Sequence, residues 1–400
     1  MLSIFKILVV FTLIIILLRR KVGLGITMLV STTFLGLLFG LSIFSLAKQY
    51  LLTFITPSTI TLITALVLIM LLESVMRRTG MLAAMTESLF KLPLNPKLLV
   101  AAVPAIIGLL PSAGGARFSA PLVGQATTDS SYPPEDKVFI NFWFRHIWEY
   151  SLPLYPGLVL AAYLSGASLS TMVLWQWPFT IIWAVVGYLY IFRRYRAVSG
   201  RPDNNRPDSK VGPTLLKNTW PLLATVAMVL SRVPLEWALV ITLTVLIIQK
   251  RYPLRSVVET LFERLTIQIV LLTWGTMAFK DVLSLSGAVN EVSQAILALH
   301  MPVAATIIGI PLLAGILTGL VQACIGISFP LVMALVDPAP AYVTLAYISA
   351  VIGVMISPVH LCFVLTVQYF QADFWRSYKP IILPSLFVIF LTLLLVNILV

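Results

Sequence analysis

Apolar runs long enough to cross a lipid bilayer recur along this chain, and they dictate what it can fold into. A hydrocarbon core about 30 Å thick takes about 20 apolar residues of helix. Ten such runs are legible, near residues 2–18, 22–47, 56–76, 135–165, 170–192, 214–232, 234–250, 264–284, 341–372 and 380–400. Inside lipid every backbone N–H and C=O has to find a partner within the protein, so such runs become helices. The fold expected is an all-α polytopic membrane protein with about ten transmembrane helices. Charged residues make up 10% of the chain, against about 25% in a soluble domain, and mean hydropathy is +1.00. The net charge of +12 does not indicate a nucleic-acid partner, because the basic residues lie between apolar runs and not in one patch. The first run lacks a basic leader and a small-residue cleavage site, and reads as a retained span. Cys324 and Cys362 lie in apolar segments without metal-ligand spacing, so neither a disulfide nor a metal site is expected.

Two further apolar stretches, 97–129 and 302–335, are interrupted at their centres by Gly, Pro and polar residues. Each reads as a re-entrant hairpin, since irregular backbone at membrane depth is tolerated only where protein or a cavity surrounds it. Basic residues test this layout. Arg19, Arg20 and Lys21, then Arg77, Arg78, Lys91 and Lys97, then Arg193, Arg194 and Arg196 form three clusters. Lys250, Arg251 and Arg255, and finally Arg376 and Lys379, form two more. All five fall on one side if the ten runs cross and the two hairpins do not. The positive-inside rule then puts both termini outside and the polar loop 193–213 in the cytoplasm of a cell membrane. That loop divides the chain into 1–192 and 214–400, each with five spans and one hairpin.

The two parts resemble each other. Gly80 and Gly287, Pro104 and Pro311, and Gly108 and Gly315 are each 207 positions apart. Pro121 and Pro330 are 209 apart, and Ser151 and Ser357 are 206 apart. With five spans between equivalent elements, the two parts have opposite orientation, which is the inverted-topology repeat of many secondary transporters.

A serine followed closely by proline occurs at four related places: Ser119 and Pro121, Ser151 and Pro153, Ser328 and Pro330, and Ser357 and Pro358. Serine is a favoured N-cap and proline suits the first helical turn. Each pair is therefore expected to start a half-helix, two in the hairpins and two near the middle of broken spans. Helix N-termini attract anions. The other reading is four ordinary proline kinks.

In "LPSAGGARFSAP" the residues expected to line a substrate site are Ser112, Gly114, Gly115, Arg117 and Ser119, with Ser151 from the following span. A guanidinium at membrane depth has to be paired or face water. Arg117 would grip a carboxylate or phosphate bidentately, or else pair with Glu149 or Glu73. The second part offers Thr318, Gln322, Ser328 and Ser357, with no charge at the equivalent place. His146 and Glu149, three apart, and His360 beyond the second break are candidates to carry a coupled proton. For these the alternatives are an Arg145–Glu149 ion pair and a satisfied buried imidazole. Glu73 beside Arg77 and Arg78 reads as a local pair.

"GLLPSAGGARFSAP" resembles an uncharacterised integral-membrane family, domain of unknown function 401. The whole layout is similar to the ion-transporter superfamily of secondary carriers. That resemblance implies a hairpin-bearing transport domain moving against a scaffold, often in a homodimer. The Ser-Asn-Thr triplets typical of its sodium-coupled carboxylate carriers are absent from both hairpin tips. Sodium coupling and di- or tricarboxylate specificity therefore do not transfer. The function expected is secondary transport of a small carboxylate-like anion, coupled to H+ or Na+, with no other cofactor. A lipid or polyprenyl-phosphate flippase and an intramembrane enzyme are the competing classes. No Gly-x-Ser-x-Gly, His-Glu-x-x-His, Gly-x-Gly-Asp or phosphate-loop motif supports an enzyme or an ATP-driven pump.

Overall fold

In the computed structural model the described residues are 2–110, 115–128, 131–193, 211–288, 291, 294, 302–335 and 339–399. They form an all-α polytopic membrane protein, with no strand among them. The first part contains α1 (Leu2–Arg19), α2 (Leu24–Leu38), α3 (Ile43–Ile55), α4 (Pro57–Arg78) and α5 (Met81–Lys91). It continues through α6 (Pro96–Gly108), α7 (Ala116–Ala126), α8 (Pro134–Arg145), α9 (Pro156–Ser165) and α10 (Leu169–Phe192). The second part contains α11 (Val211–Leu230), α12 (Leu235–Lys250), α13 (Leu254–Leu261), α14 (Arg264–Leu285) and α15 (Val303–Thr318). It ends with α16 (Val321–Val332), α17 (Pro340–Met355), α18 (Leu361–Phe370) and α19 (Phe374–Leu399). Residues 194–210 of the polar loop lie outside the described residues.

Local chemistry sets these boundaries. Proline stands in the first turn of α4, α6, α8, α9 and α17, where its missing N–H costs no helical bond. Ser42, Asn95 and Ser168 cap α3, α6 and α10 by accepting hydrogen bonds from Ser45, Lys97 and Thr171 N–H groups. Gly40, with φ +84°, and the Ser42 cap divide the run 22–47 into α2 and α3. That run is therefore not one continuous span. Only α4, α10 and the stretch Phe374–Leu394 of α19 are, among the described residues, long and apolar enough to cross a membrane singly. Eight other apolar helices of the described residues have 10–17 residues, and the runs 135–165 and 341–372 are each divided into two helices.

Equivalent helices recur along the chain. α4 and α14 both have 22 residues and begin 207 positions apart. α9 and α18 both have ten residues and begin 205 apart. Gly80 and Gly287 act alike, stopping α4 and α14 at φ +73° and +70°, in the left-handed conformation that terminates helices. Packing between the two parts is reciprocal. α2 and α3 lie on α14 while α12 and α13 lie on α4; α16 lies on α9 while α7 lies on α18. Side chains follow the same exchange. Thr53 Oγ1 donates to Asp281 Oδ2 at 2.5 Å, and the hydroxyls of Ser74 and Thr260, the same positions shifted by 207, are 3.2 Å apart. α9, α16 and α17 are almost wholly buried, whereas two-thirds of the membrane-length windows of α10 and α19 are not. Short α9, α16 and α17 thus belong to the interior and long α10 and α19 to the rim.

Candidate functional site

Both interior spans are broken near their middles. α8 ends at Arg145, a 3-10 turn covers Ile147–Glu149, and the chain stays non-helical until Tyr155 precedes α9. α17 ends at Met355, and α18 starts after His360. Pro153 and Pro358 stand inside the two breaks, where a proline disfavours helical geometry in the residue before it. The breaks fall where the Ser-Pro pairs put them, but the serines are not N-caps. Tyr155 and His360 occupy those positions, in extended conformation and without side-chain capping bonds. Ser151 Oγ instead meets Thr180 Oγ1 at 2.7 Å, and Ser357 Oγ donates to Ile316 O at 2.7 Å. Ser119 and Ser328 are likewise not caps. They lie inside α7 and α16 and donate back to Gly115 O and Cys324 O, one turn earlier. The hairpin helices start sooner because the turn itself restarts them: Gly319, at φ +64°, and extended Leu320 precede α16, and Gly115 precedes α7.

Each break is held by the helical hairpin of its own part. Tyr155 OH donates to Gly108 O at 2.5 Å, and Trp148 Nε1 donates to Ala105 O at 2.8 Å. Gly108 and Gly315 let the hairpins approach this closely. A Cβ on Gly108 would strike Arg145 O, and one on Gly315 would lie 2.7 Å from Ala350 O and Val354 N. A Cβ on Gly319 would lie 3.1 Å from His360 N and Ser357 Oγ, so the second hairpin's turn sits on the second break.

The hairpins also cross to the other part. Gly157, at the start of α9, packs on Val321, at the start of α16. Near the end of α7, Gly124 faces the rings of Tyr369 and Phe370 at the end of α18. The starts of α9 and α16 therefore meet, as do the ends of α7 and α18, and both pairs pack side by side. The two breaks meet as well. The rings of His146 and His360 are 4.9 Å apart, and Tyr347 OH donates to Glu149 O at 2.7 Å.

Four ionisable side chains and a thiol occupy this junction. Arg145, His146 and His360 are 4%, 3% and 6% exposed, so they are interior groups. His146 Nδ1 lies 2.5 Å from Phe142 O, His360 Nδ1 lies 3.0 Å from Val354 O, and both rings pack on Phe142. Glu149 Oε1 is 3.9 Å from His146 Nε2. Ligand atoms of His146, His360 and Cys362 all lie within 4.8 Å of one another. Glu73 is elsewhere, bonded to Arg77 at 3.1 Å as a local pair.

The family described as "Protein of unknown function (DUF401)" matches residues 1–400. The chain belongs to this family. Among solved structures it is similar to that of the YdaH transporter of Alcanivorax borkumensis, described as having an unusual topology. The TM-score is 0.60 at 14% identity, over 90% of this chain and 89% of that one. At that identity the likeness is one of fold. No curated protein matches the sequence.

The stretch "LPSAGGARFSAP" is placed only in part. Ser112 and Gly114 lie outside the described residues. Gly115 and Ser119 are buried at the start of α7, and Arg117 is exposed in its first turn. Thr318 ends α15 with its hydroxyl on Ala314 O, and Gln322 is half-buried in the first turn of α16. Glu149 and Glu73 have the neighbours already given, so neither is the partner of Arg117. Sequence reasoning missed Cys362 because its neighbour His146 is 216 positions away, a distance no spacing rule spans. A shallow apolar groove lined by Trp220, Val245, Ile248 and Gln249 is remote from this junction and offers no charge.

Proposed function

We propose that this DUF401 protein is a secondary active transporter of a small carboxylate-like anion, driven by an H+ or Na+ gradient through alternating access. The observation that carries the reading is the side-by-side pairing of α7 with α18 and of α9 with α16. On this reading the pairing gathers helix N-termini of the hairpins and the breaks about one site. Each N-terminus presents unpaired N–H groups and about half a positive charge. Arg117 adds a full charge in the first turn of α7. A cation there opposes the helix dipole by about 0.3–1 kcal/mol, so helix stability does not explain its position, whereas an anionic ligand does.

Reciprocal packing and helices repeated at 205–207 positions support an inverted repeat of two five-span units, 1–192 and 214–400, joined by 193–213. On this reading 97–129 and 302–335 are re-entrant hairpins. Both termini face outward from the cell membrane, and two copies form a homodimer, as in the ion-transporter superfamily. His146, Glu149 and His360 are the interior groups on which a coupled proton would ride. The fold shared with the YdaH transporter supports transport over catalysis. A thermal-shift screen of mono-, di- and tricarboxylates, phosphate and sulfate, with and without sodium, tests the reading. At least one carboxylate is expected to raise the melting midpoint of the wild type and not of Arg117→Ala; stabilisation by no anion contradicts it.

A further inference from the structure

The junction of the two breaks has a donor set that anion recognition does not use. We propose that His146, His360 and Cys362 form a site for one borderline-soft divalent transition metal ion, of which Zn2+ is the type, with Glu149 as fourth ligand. Two imidazoles, a thiolate and a carboxylate are the ligands such ions select, and four of them suit a tetrahedral shell.

Three observations favour a metal over simple aromatic packing. The first is orientation. His146 Nδ1 is tied to Phe142 O and His360 Nδ1 to Val354 O, so each Nε2 is left to face side chains, and His146 already contacts the Cys362 thiol. Metal-binding histidines are oriented in this way, with the second nitrogen anchored on a carbonyl. The second is an orphan: Glu149 Oε2 is buried with no hydrogen-bond partner, while Glu149 Oε1 lies 3.9 Å from His146 Nε2. Ring stacking leaves that oxygen unexplained, and a cation satisfies it. The third is spacing. The His and Cys ligand atoms lie within 4.8 Å of one another. Bonds of about 2.0–2.3 Å in a tetrahedron need ligand separations of about 3.3–3.8 Å, which small side-chain rotations reach.

Exposed Val359 and Leu361 flank His360, so the cluster lies just below the surface of the break. A bound ion would tie the end of α8 to the start of α18, joining the two parts of the chain at their shared centre. It would also occupy the nitrogens on which a coupled proton would ride. The two roles exclude each other, and a binding measurement decides between them.

The test is a Co2+ titration of the purified full chain in detergent under reducing conditions. We expect a thiolate-to-cobalt charge-transfer band that saturates at one equivalent and is displaced by Zn2+. Cys362→Ser removes the band and weakens binding at least tenfold, with helical circular dichroism unchanged. Cys324→Ser keeps the band, because that thiol lies on α16 and donates to Pro311 O. Alkylation of Cys362 in the Cys324→Ser background gives a second reading that needs no ligand variant: Zn2+ slows it at least tenfold. No band in the wild type, a band that survives Cys362→Ser, or an alkylation rate indifferent to Zn2+ overturns the proposal. Because the readouts are spectroscopic and chemical, either result leaves the anion reading to be judged on its own test.

Discussion

The span 134–165 and the span 340–370 are built alike and equipped differently. Both consist of a longer and a ten-residue helix around a proline-bearing break, and both are crossed at a glycine by their own hairpin. Yet Arg145, His146 and Glu149 of the first correspond, 206 positions on, to Val351, Ile352 and Met355 of the second. The ring stack of Trp143 on Trp183, 3.8 Å apart, has only Ser349 at the matching place. Backbone geometry has been kept in duplicate while the charged Arg145 and Glu149 sit in one copy only. A frame needs the same glycines and prolines twice, because close approach and helix arrest are steric. One anion needs its charge once.

The strongest way to break this comparison is to fill the crossings. Gly108→Val and Gly315→Val should each cost about 1–3 kcal/mol or more, since the new atoms meet backbone and not flexible side chains. Melting in detergent should fall for both; a large loss in one and none in the other would show that the crossings are not equivalent. Trp143→Phe probes what the first span alone has. Trp143 Nε1 donates to Trp183 O at 2.9 Å and Trp183 Nε1 to Trp143 O at 3.2 Å, and losing one such bond costs about 1 kcal/mol. Ser349 in the second span donates only to Leu345 O in its own helix, so Ser349→Ala should cost less by the same melting measurement.

Ser119→Ala should have the smallest effect, within about 0.5 kcal/mol, because that hydroxyl bonds only to a carbonyl of its own helical turn. A loss near 1 kcal/mol, roughly the usual value of an N-cap, would restore the capping role that the Ser-x-Pro pattern suggests.

That pattern shows how far the sequence could be read. The breaks near residues 151 and 357 were legible because proline disfavours helix in the residue before it, although Pro104, Pro121, Pro178, Pro311 and Pro330 stand inside continuous helices. Cap assignments were not, since a serine becomes a cap only where the chain arrives in extended conformation. Here Tyr155, Leu320 and His360 arrive that way. Short α5 and α13 escaped notice because 11 and eight residues with charges among them look like connections. The His146–His360–Cys362 cluster is visible only after two breaks from opposite ends of the chain have been folded together.

The central claim is that the asymmetric charge on the symmetric frame serves an anion. Uptake of radiolabelled carboxylates into proteoliposomes, with an imposed proton or sodium gradient, tests it most directly. At least one carboxylate should accumulate against its own gradient. Arg117→Ala should reduce this at least roughly tenfold, as the loss of a charge-assisted contact implies, while Arg255→Ala, a change at a 90% exposed side chain, should leave it intact. Accumulation of no carboxylate, or wild-type accumulation by Arg117→Ala, would contradict the account.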